Sequence, residues 1–339
     1  MASNESLHES VVVVVDRAML PAAAADRIRA LSPRIELIEH FSPDALKRAH
    51  VVFTEQGRFD PVDAPCLKWV QTESASITHL MDTNLASSNI PVANAGGALS
   101  ANVAELAFGL LLALTRRLND CHRIQAKGRW PQAAEHRALY GDHSYGKTLG
   151  ILGYGSIGRQ VARIASGLGM QILAYNRAGR RTKAKDFSLP NSGDPEGDFP
   201  AWWCGLGRID EMLPRCDVVV LCLPLTAETH HLVGAAALQS LPNHAYLIDV
   251  GRGGVLDLHA LCDCLHAGRL AGAALDVYEQ EPLPAEHPLW RAPNVLLSPH
   301  IGAGTKSRND FVARVLVENL SRFLDGRPLV NLVDFKQGY

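Results

Sequence analysis

Short apolar runs alternate with amphipathic stretches along the chain. Val11–Val15 is an unbroken β-branched run closed by Asp16, the pattern of a strand buried on both faces of a parallel sheet. Ala22–Leu31 has helical spacing, and Ile35–Ile38, Val51–Thr54 and Lys68–Gln71 read as further strands. Ser100–Arg117 follows as a long helix. Ser100 is placed to cap it, with Val103, Leu106, Ala107, Leu110 and Leu114 on one face. The longest apolar stretch, near Ala104–Leu114, is shorter than the roughly 20 residues that span a bilayer, so it predicts a buried helix.

A second series opens at Lys147. Thr148–Leu152 predicts a strand, Ser156–Leu168 a helix and Met170–Tyr175 a strand. The stretch 178–209 reads as loop-rich, with Pro190, Gly193, Pro195, Gly197 and Pro200 close together. Asp217–Leu223, Ala245–Val250, Ala271–Leu275 and Val295–Leu297 are strand candidates, His259–His266 is a helix, and a last helix runs from about Lys306 to Leu324. Strands alternating with helices predict an α/β fold with crossover connections, and 339 residues suggest two domains.

Composition narrows the function classes. Net charge is −2, from 33 basic and 35 acidic residues without a long run of one sign, so neither nucleic acid nor a membrane surface is an expected partner. The seven cysteines are scattered, and Cys262 and Cys264 should point to different helix faces, so reduced thiols in a cytoplasmic protein are expected and no metal. The opening MASNESLHES lacks the charged-then-apolar layout of a signal peptide.

The first chemical motif is Gly153-Tyr154-Gly155-Ser156-Ile157-Gly158, set between a predicted strand and a predicted helix. In that context Gly153 permits a tight turn, Gly155 lets the backbone approach a pyrophosphate, and Gly158 lets the helix pack on the sheet. Amides at the helix start would face the anion. The plainer alternative is a tight turn without a ligand. The position expected to bind the adenosine ribose is Asn176, followed by Arg177, Arg180, Arg181 and Lys183. A missing carboxylate and added cations favour a 2′-phosphate, hence NADP in preference to NAD, with NAD still possible and a solvated basic loop as the alternative. Gly141–Thr148 also matches a P-loop string, but it leads into a strand rather than a helix, which argues against ATP.

Three segments follow predicted strands: Asp249–Gly254, Leu275–Pro282 and Ser298–Gly302. Ligands of open α/β sheets lie beyond the carboxyl ends of strands, so Arg252, Glu281 and His300 are candidates to converge there. Their types suit carbonyl reduction. A histidinium donates a proton to the oxygen, a carboxylate holds its ring, and an arginine grips a substrate carboxylate with two hydrogen bonds. Taken singly, each also reads as an ion pair, a loop acid or a satisfied histidine.

At these residues the chain resembles the D-isomer-specific 2-hydroxyacid dehydrogenases, which include glyoxylate/hydroxypyruvate reductases. The stretches GKTLGILGYGSIGRQVA, VGRGGVLD, AALDVYEQEPLP with HPLW, and LLSPHIGAGT carry the resemblance in order. It implies two doubly wound parallel-sheet domains. A Rossmann cofactor domain at 102–301 would be inserted into a smaller flavodoxin-like substrate domain at 1–101 and 302–339. It implies Arg252 as the substrate carboxylate ligand, His300 as acid/base and Glu281 as its partner. Backbone amides at Ala75, Ser76 and Ile77 would hold the carboxylate, although many relatives have glycine where this chain has Ser76. Pro224, Thr229 and Asp276 would lie beside the dinucleotide. The expected activity is NADPH-dependent reduction of a small 2-ketoacid in a homodimer. The alternatives are an NAD-dependent D-2-hydroxyacid dehydrogenase, formate or phosphite oxidation, against which Glu281 speaks, and a non-catalytic dinucleotide sensor.

Overall fold

The computed structural model describes residues 10–57 and 59–336. The stretch read as lacking a signal peptide lies, apart from Ser10, outside the described residues. The described residues form two compact units, one within residues 1–99, 185–189 and 305–339, the other of residues 100–184 and 190–304.

The first unit is built on five parallel strands: β1 (Val11–Val15), β2 (Ile35–Ile38), β3 (Val51–Thr54), β4 (Trp69–Thr72) and β5 (Val92–Ala93). Their order is β2-β1-β3-β4-β5, the flavodoxin-like arrangement. Helices α1 (Ala22–Leu31) and α2 (Pro43–Arg48) connect them, and the Ser42 hydroxyl caps α2 by accepting from the Ala45 amide at 3.1 Å. The C-terminal helix Arg308–Leu324 returns to this unit and packs on α1. It buries Val312, Val315, Leu316 and Leu320, together with Asn319, whose Nδ2 donates to Gln71 Oε1 at 2.9 Å. Two buried amides thus satisfy each other where either alone would cost stability.

The second unit opens with α3 (Ser100–Thr115), α4 (Leu118–Ala126) and α5 (Ala133–Ala138). The parallel strands β6 (Thr148–Leu152), β7 (Gln171–Tyr175), β8 (Trp202–Cys204), β9 (Val218–Leu221), β10 (Tyr246–Asp249), β11 (Gly272–Leu275) and β12 (Val295–Leu297) follow. Interleaved with them are α6 (Ser156–Gly167), α7 (Ile209–Met212), α8 (Ala235–Ser240) and α9 (Leu258–His266). The strand order β12-β11-β10-β9-β6-β7-β8 reverses direction between β6 and β9, the topological switch point of a doubly wound sheet. Side chains alternate between two cores. Val218, Val220 and Ile248 join α3 and α6, while Val219, Leu221 and Leu247 join α8 and α9.

Several departures from the sequence reading have physical causes. The first helix of this unit stops at Thr115 because Arg117 takes a left-handed backbone (φ 53°), and α4 leaves in a new direction. The loop-rich stretch contains an edge strand, β8, too short to register as a pattern. Cys262 and Cys264 enter the same core rather than opposite faces, because α9 is also covered by α8 and by the turn at Pro288–Arg291. Among the described residues no helix is long and apolar enough to cross a membrane.

Candidate active site

The carboxyl ends of β6, β7, β9, β10, β11 and β12 carry every residue singled out in the second unit. At the end of β6, Gly153 has φ 103°, and a Cβ there would sit 2.7 Å from the Cys222 carbonyl oxygen across the switch point. A Cβ on Gly158 would lie 2.1 Å from the Gly153 carbonyl oxygen, so α6 packs against the turn only because that side chain is absent. Gly155 differs: a Cβ there meets nothing within 4 Å. Its bareness serves no protein contact and leaves space for an approaching group. Gly155 also takes the N-cap position of α6 without a side-chain cap, and Ser156 and Ile157 form the first turn. Amides at such a helix start suit a phosphate. The Tyr154 side chain turns inward instead. Its hydroxyl donates to Asp194 Oδ2 at 2.6 Å, and burial, then that contact, push the phenol far above its ordinary range.

Asn176 ends β7. Its Nδ2 donates to the Arg180 carbonyl at 2.9 Å, and its Oδ1 is buried with no hydrogen-bond partner. A spare acceptor at this position and open space at Gly155 both fit a bound dinucleotide. Three of the four cations after Asn176 pair with acids. Arg181 is bonded to Asp198 and to the Glu196 carbonyl, and Lys183 to Glu196 at 2.7 Å. Arg177 and Arg180 are exposed, with Arg177 3.5 Å from Glu228. After β9, Thr229 Oγ1 donates to the Pro224 carbonyl at 2.7 Å and accepts from the Thr226 amide at 2.8 Å, closing a rigid loop.

The segment after β7 is fastened to α6. The buried Asp194 carboxylate accepts from Tyr154 and from the amides of Gly197, Asp198 and Phe199. Arg159, also buried, donates to the carbonyls of Asp194 and Thr182 at 2.6 and 2.8 Å. No sequence signal marked this pair, since each partner stands alone in its local pattern.

At the other side of the switch point, His300 Nδ1 lies 2.6 Å from Glu281 Oε2, and Glu281 Oε1 accepts from the Tyr278 amide at 3.0 Å. This contact points Nε2 of His300 away from its partner; the ring is exposed enough to meet a substrate, with 45% of the side chain accessible. Arg252 follows β10, with Nη1 donating to the Gly251 carbonyl at 2.6 Å. Burial lowers its pKa, opposed by the negative fields of Glu281 and Asp249, so Arg252 and the Glu281 that contacts His300 lie close enough to interact. Asp276 is 2% exposed and takes a structural part. It accepts from Ser298 Oγ and from the amides of Ile301 and Gly302 at 2.7, 2.9 and 2.8 Å. Asp249 was not singled out from the sequence. It is buried at the end of β10, and burial raises its carboxyl pKa to about 7, with Asp276 adding to the shift and the Gly251 amide and Arg252 opposing it.

In the first unit, Ala75, Ser76 and Ile77 form a turn beyond β4. The Ser76 amide donates to Ser74 Oγ at 3.1 Å, so the loop itself uses one of the amides expected to meet substrate. Glu73, at the base of this turn, is held by Arg308 through two bonds of 2.7 and 2.9 Å. Both border a cavity of 390 Å³ with Glu55, Gln56, Ser74, His79 and Thr83.

The profile of the D-isomer specific 2-hydroxyacid dehydrogenase NAD binding domain matches residues 108–302. A glyoxylate reductase of Thermofilum pendens is 36% identical over 271 residues, covering 80% of this chain and 76% of its own. A solved D-isomer specific 2-hydroxyacid dehydrogenase family protein from Aeromonas salmonicida superposes with a TM-score of 0.74 at 30% identity, over 96% of this chain and all of the other. An NADPH-dependent glyoxylate/hydroxypyruvate reductase from Sinorhizobium meliloti, solved with NADP and sulfate, superposes with a TM-score of 0.72 at 26% identity, over 97% of this chain and all of that one.

Proposed function

This chain belongs to the D-isomer specific 2-hydroxyacid dehydrogenase family, as an NAD(P)-dependent oxidoreductase, and on that premise we propose that it reduces a small 2-ketoacid of the glyoxylate or hydroxypyruvate type to the D-2-hydroxyacid. The observation that carries the reading is the 2.6 Å contact of His300 Nδ1 with Glu281. With Nδ1 bonded to the carboxylate, the protonated ring presents its other proton at Nε2, where a carbonyl oxygen gaining negative charge takes it. Arg252 binds the substrate carboxylate with two parallel hydrogen bonds and orients the carbonyl. The bound nicotinamide supplies the hydride. Gly153–Gly158 hold its pyrophosphate, and Asn176, Pro224 and Thr229 border the rest of the dinucleotide.

NADPH is the proposed donor. Asn176 puts no carboxylate against a 2′-phosphate, and two exposed arginines follow it, Arg177, which pairs with Glu228 at 3.5 Å, and Arg180. A panel of 2-ketoacids assayed with NADPH and NADH tests both parts. Higher kcat/KM for glyoxylate or hydroxypyruvate with NADPH is expected. Equal or better efficiency with NADH overturns the cofactor reading, and near-normal turnover in both His300→Gln and Arg252→Ala overturns the mechanism.

The protein is further proposed to act as a cytoplasmic homodimer. All seven cysteines are free thiols, which suits a reducing compartment. Helices α4 and α5 bury no residue, while Leu118, Trp130, Tyr140 and Tyr145 are each more than half exposed, an apolar surface suited to a second copy. Light scattering should give twice the chain mass, reduced toward one in Trp130→Glu.

A further inference from the structure

We propose that His230, His231 and Glu279 form a binding site for one divalent transition-metal ion, best suited to zinc, which clasps the loop after β9 to the segment after β11. The three residues stand apart from the reacting groups proposed above. One ligand atom from each residue lies within 4.8 Å of the other two. Zinc bonded at about 2.0–2.1 Å places tetrahedral ligand atoms about 3.4 Å apart. All three side chains are exposed, so small rotamer changes bring them to that spacing without moving the backbone.

The local backbone supports the assignment. Adjacent side chains in a helix or strand diverge, and two neighbouring histidines ordinarily point apart. Here His231 takes a left-handed conformation (φ 49°), and its amide donates to the Gly254 carbonyl at 2.7 Å. The result is that the two imidazoles stack with centroids 4.1 Å apart at 24°. His231 Nε2 is in hydrogen-bond contact with Glu279 Oε1, where a metal ion takes the place of the shared proton. Two imidazoles and one carboxylate, with an open fourth position for water, are a donor set for zinc. Calcium and magnesium demand more oxygen ligands than the cluster offers.

His230 and His231 directly follow Thr229, which closes the loop after β9. Glu279 lies between Asp276 and Glu281. An ion held by all three ties these two segments together and resists their separation on heating. Because binding displaces a proton, affinity falls toward acid pH.

Protein dialysed against EDTA and titrated with zinc chloride against a chromophoric chelator tests the site, with thermal unfolding followed in parallel. One ion per chain at micromolar or tighter affinity is expected, with a Tm rise of a few degrees at a hundredfold excess over Kd, reversed by EDTA. Both effects should weaken at least tenfold in His230→Ala and in Glu279→Gln and persist in His300→Gln. Cobalt(II) should give the visible absorption of a tetrahedral site, absent in the same two variants. Metal-free His230→Ala should keep turnover within about twofold of the parent, marking the site as separate from the reacting groups. The absence of stoichiometric zinc at tens of micromolar, or binding that survives both Glu279→Gln and His230→Ala, overturns the proposal.

Discussion

The carboxylate of Asp276 holds the backbone on both sides of His300. Oδ1 accepts from Ser298 Oγ and the Ile301 amide, and Oδ2 from the Gly302 amide. Between these anchors His300 itself has a left-handed backbone (φ 53°), a conformation a non-glycine residue keeps only when its surroundings impose it. Asp276→Ala removes the acceptor of three donors, of which the Gly302 amide is buried, and the methyl leaves space where the buried carboxylate stood; an unsatisfied buried group costs about 1–3 kcal/mol. A stability loss of roughly 2–4 kcal/mol is expected, with kcat falling about 100-fold as the imidazole shifts. Asp276→Asn should be intermediate, because its NH₂ group must face a donor. Guanidinium unfolding and steady-state kinetics on the two variants check this; an Ala variant with parental midpoint and kcat would refute it.

The fingerprint glycines should separate stability from binding. Gly158→Ala places a methyl 2.1 Å from the Gly153 carbonyl oxygen, so a loss of several degrees in Tm is expected. Gly155→Ala adds its methyl to open space and should cost about 1 kcal/mol or less, mainly at the helix cap, yet weaken NADPH binding at least tenfold. Unfolding curves and fluorescence titration with the dinucleotide distinguish the two, and equal loss of stability would contradict the distinct roles.

Asp194 is the buried anchor of the segment after β7. Asp194→Ala removes the acceptor of the Tyr154 hydroxyl and of three amides, and should destabilise by roughly 3 kcal/mol or more. Tyr154→Phe removes one bond and should cost about 1–2 kcal/mol. Limited proteolysis should cut residues 178–199 sooner in Asp194→Ala than in the parent, while cleavage at the parental rate would show that other contacts hold the segment.

Asp249 predicts a pH response of stability. Its folded pKa of about 7 lies above the ordinary carboxyl value, so between about pH 4 and pH 7 the native protein keeps a proton that the unfolded chain releases. This group's contribution is therefore full below about pH 4 and is lost as pH rises through 7. Asp249→Asn keeps an acceptor for the Gly251 amide and removes the buried charge. At pH 8 the variant should be more stable than the parent by roughly 2–4 kcal/mol, with the gap closing toward pH 4. Denaturant midpoints for both proteins across that range provide the check, and a gap independent of pH would refute it.

Much of this architecture was legible without coordinates. The runs Val11–Val15 and Thr148–Leu152 form strands over their expected bounds, because a buried parallel strand needs little more than a short unbroken apolar run. Gly153, Gly155 and Gly158 were legible for a similar reason: the requirement on each is the absence of a side chain, which a sequence states directly. The basic run after Asn176 was only half legible. Four cations were visible, but the acids Glu196 and Asp198 that engage Lys183 and Arg181 stand 13 and 17 residues beyond them, and a linear count assigns no partners.

The sequence alone determined most of the buried strands, the long helices and the glycine turn, and it made Arg252, Glu281 and His300 candidates, since these depend on local periodicity or on contiguous motifs. Tertiary structure alone decided that Asp276 anchors the His300 loop across 22 to 26 residues, that Asp194 secures Tyr154 from 40 residues away, and that Asp249 is buried deeply enough for its carboxyl pKa to rise. A carboxylate is the same letter in all three places. Its function depends on how many donors reach it and how much water is excluded, and both are set only when distant strands pack side by side.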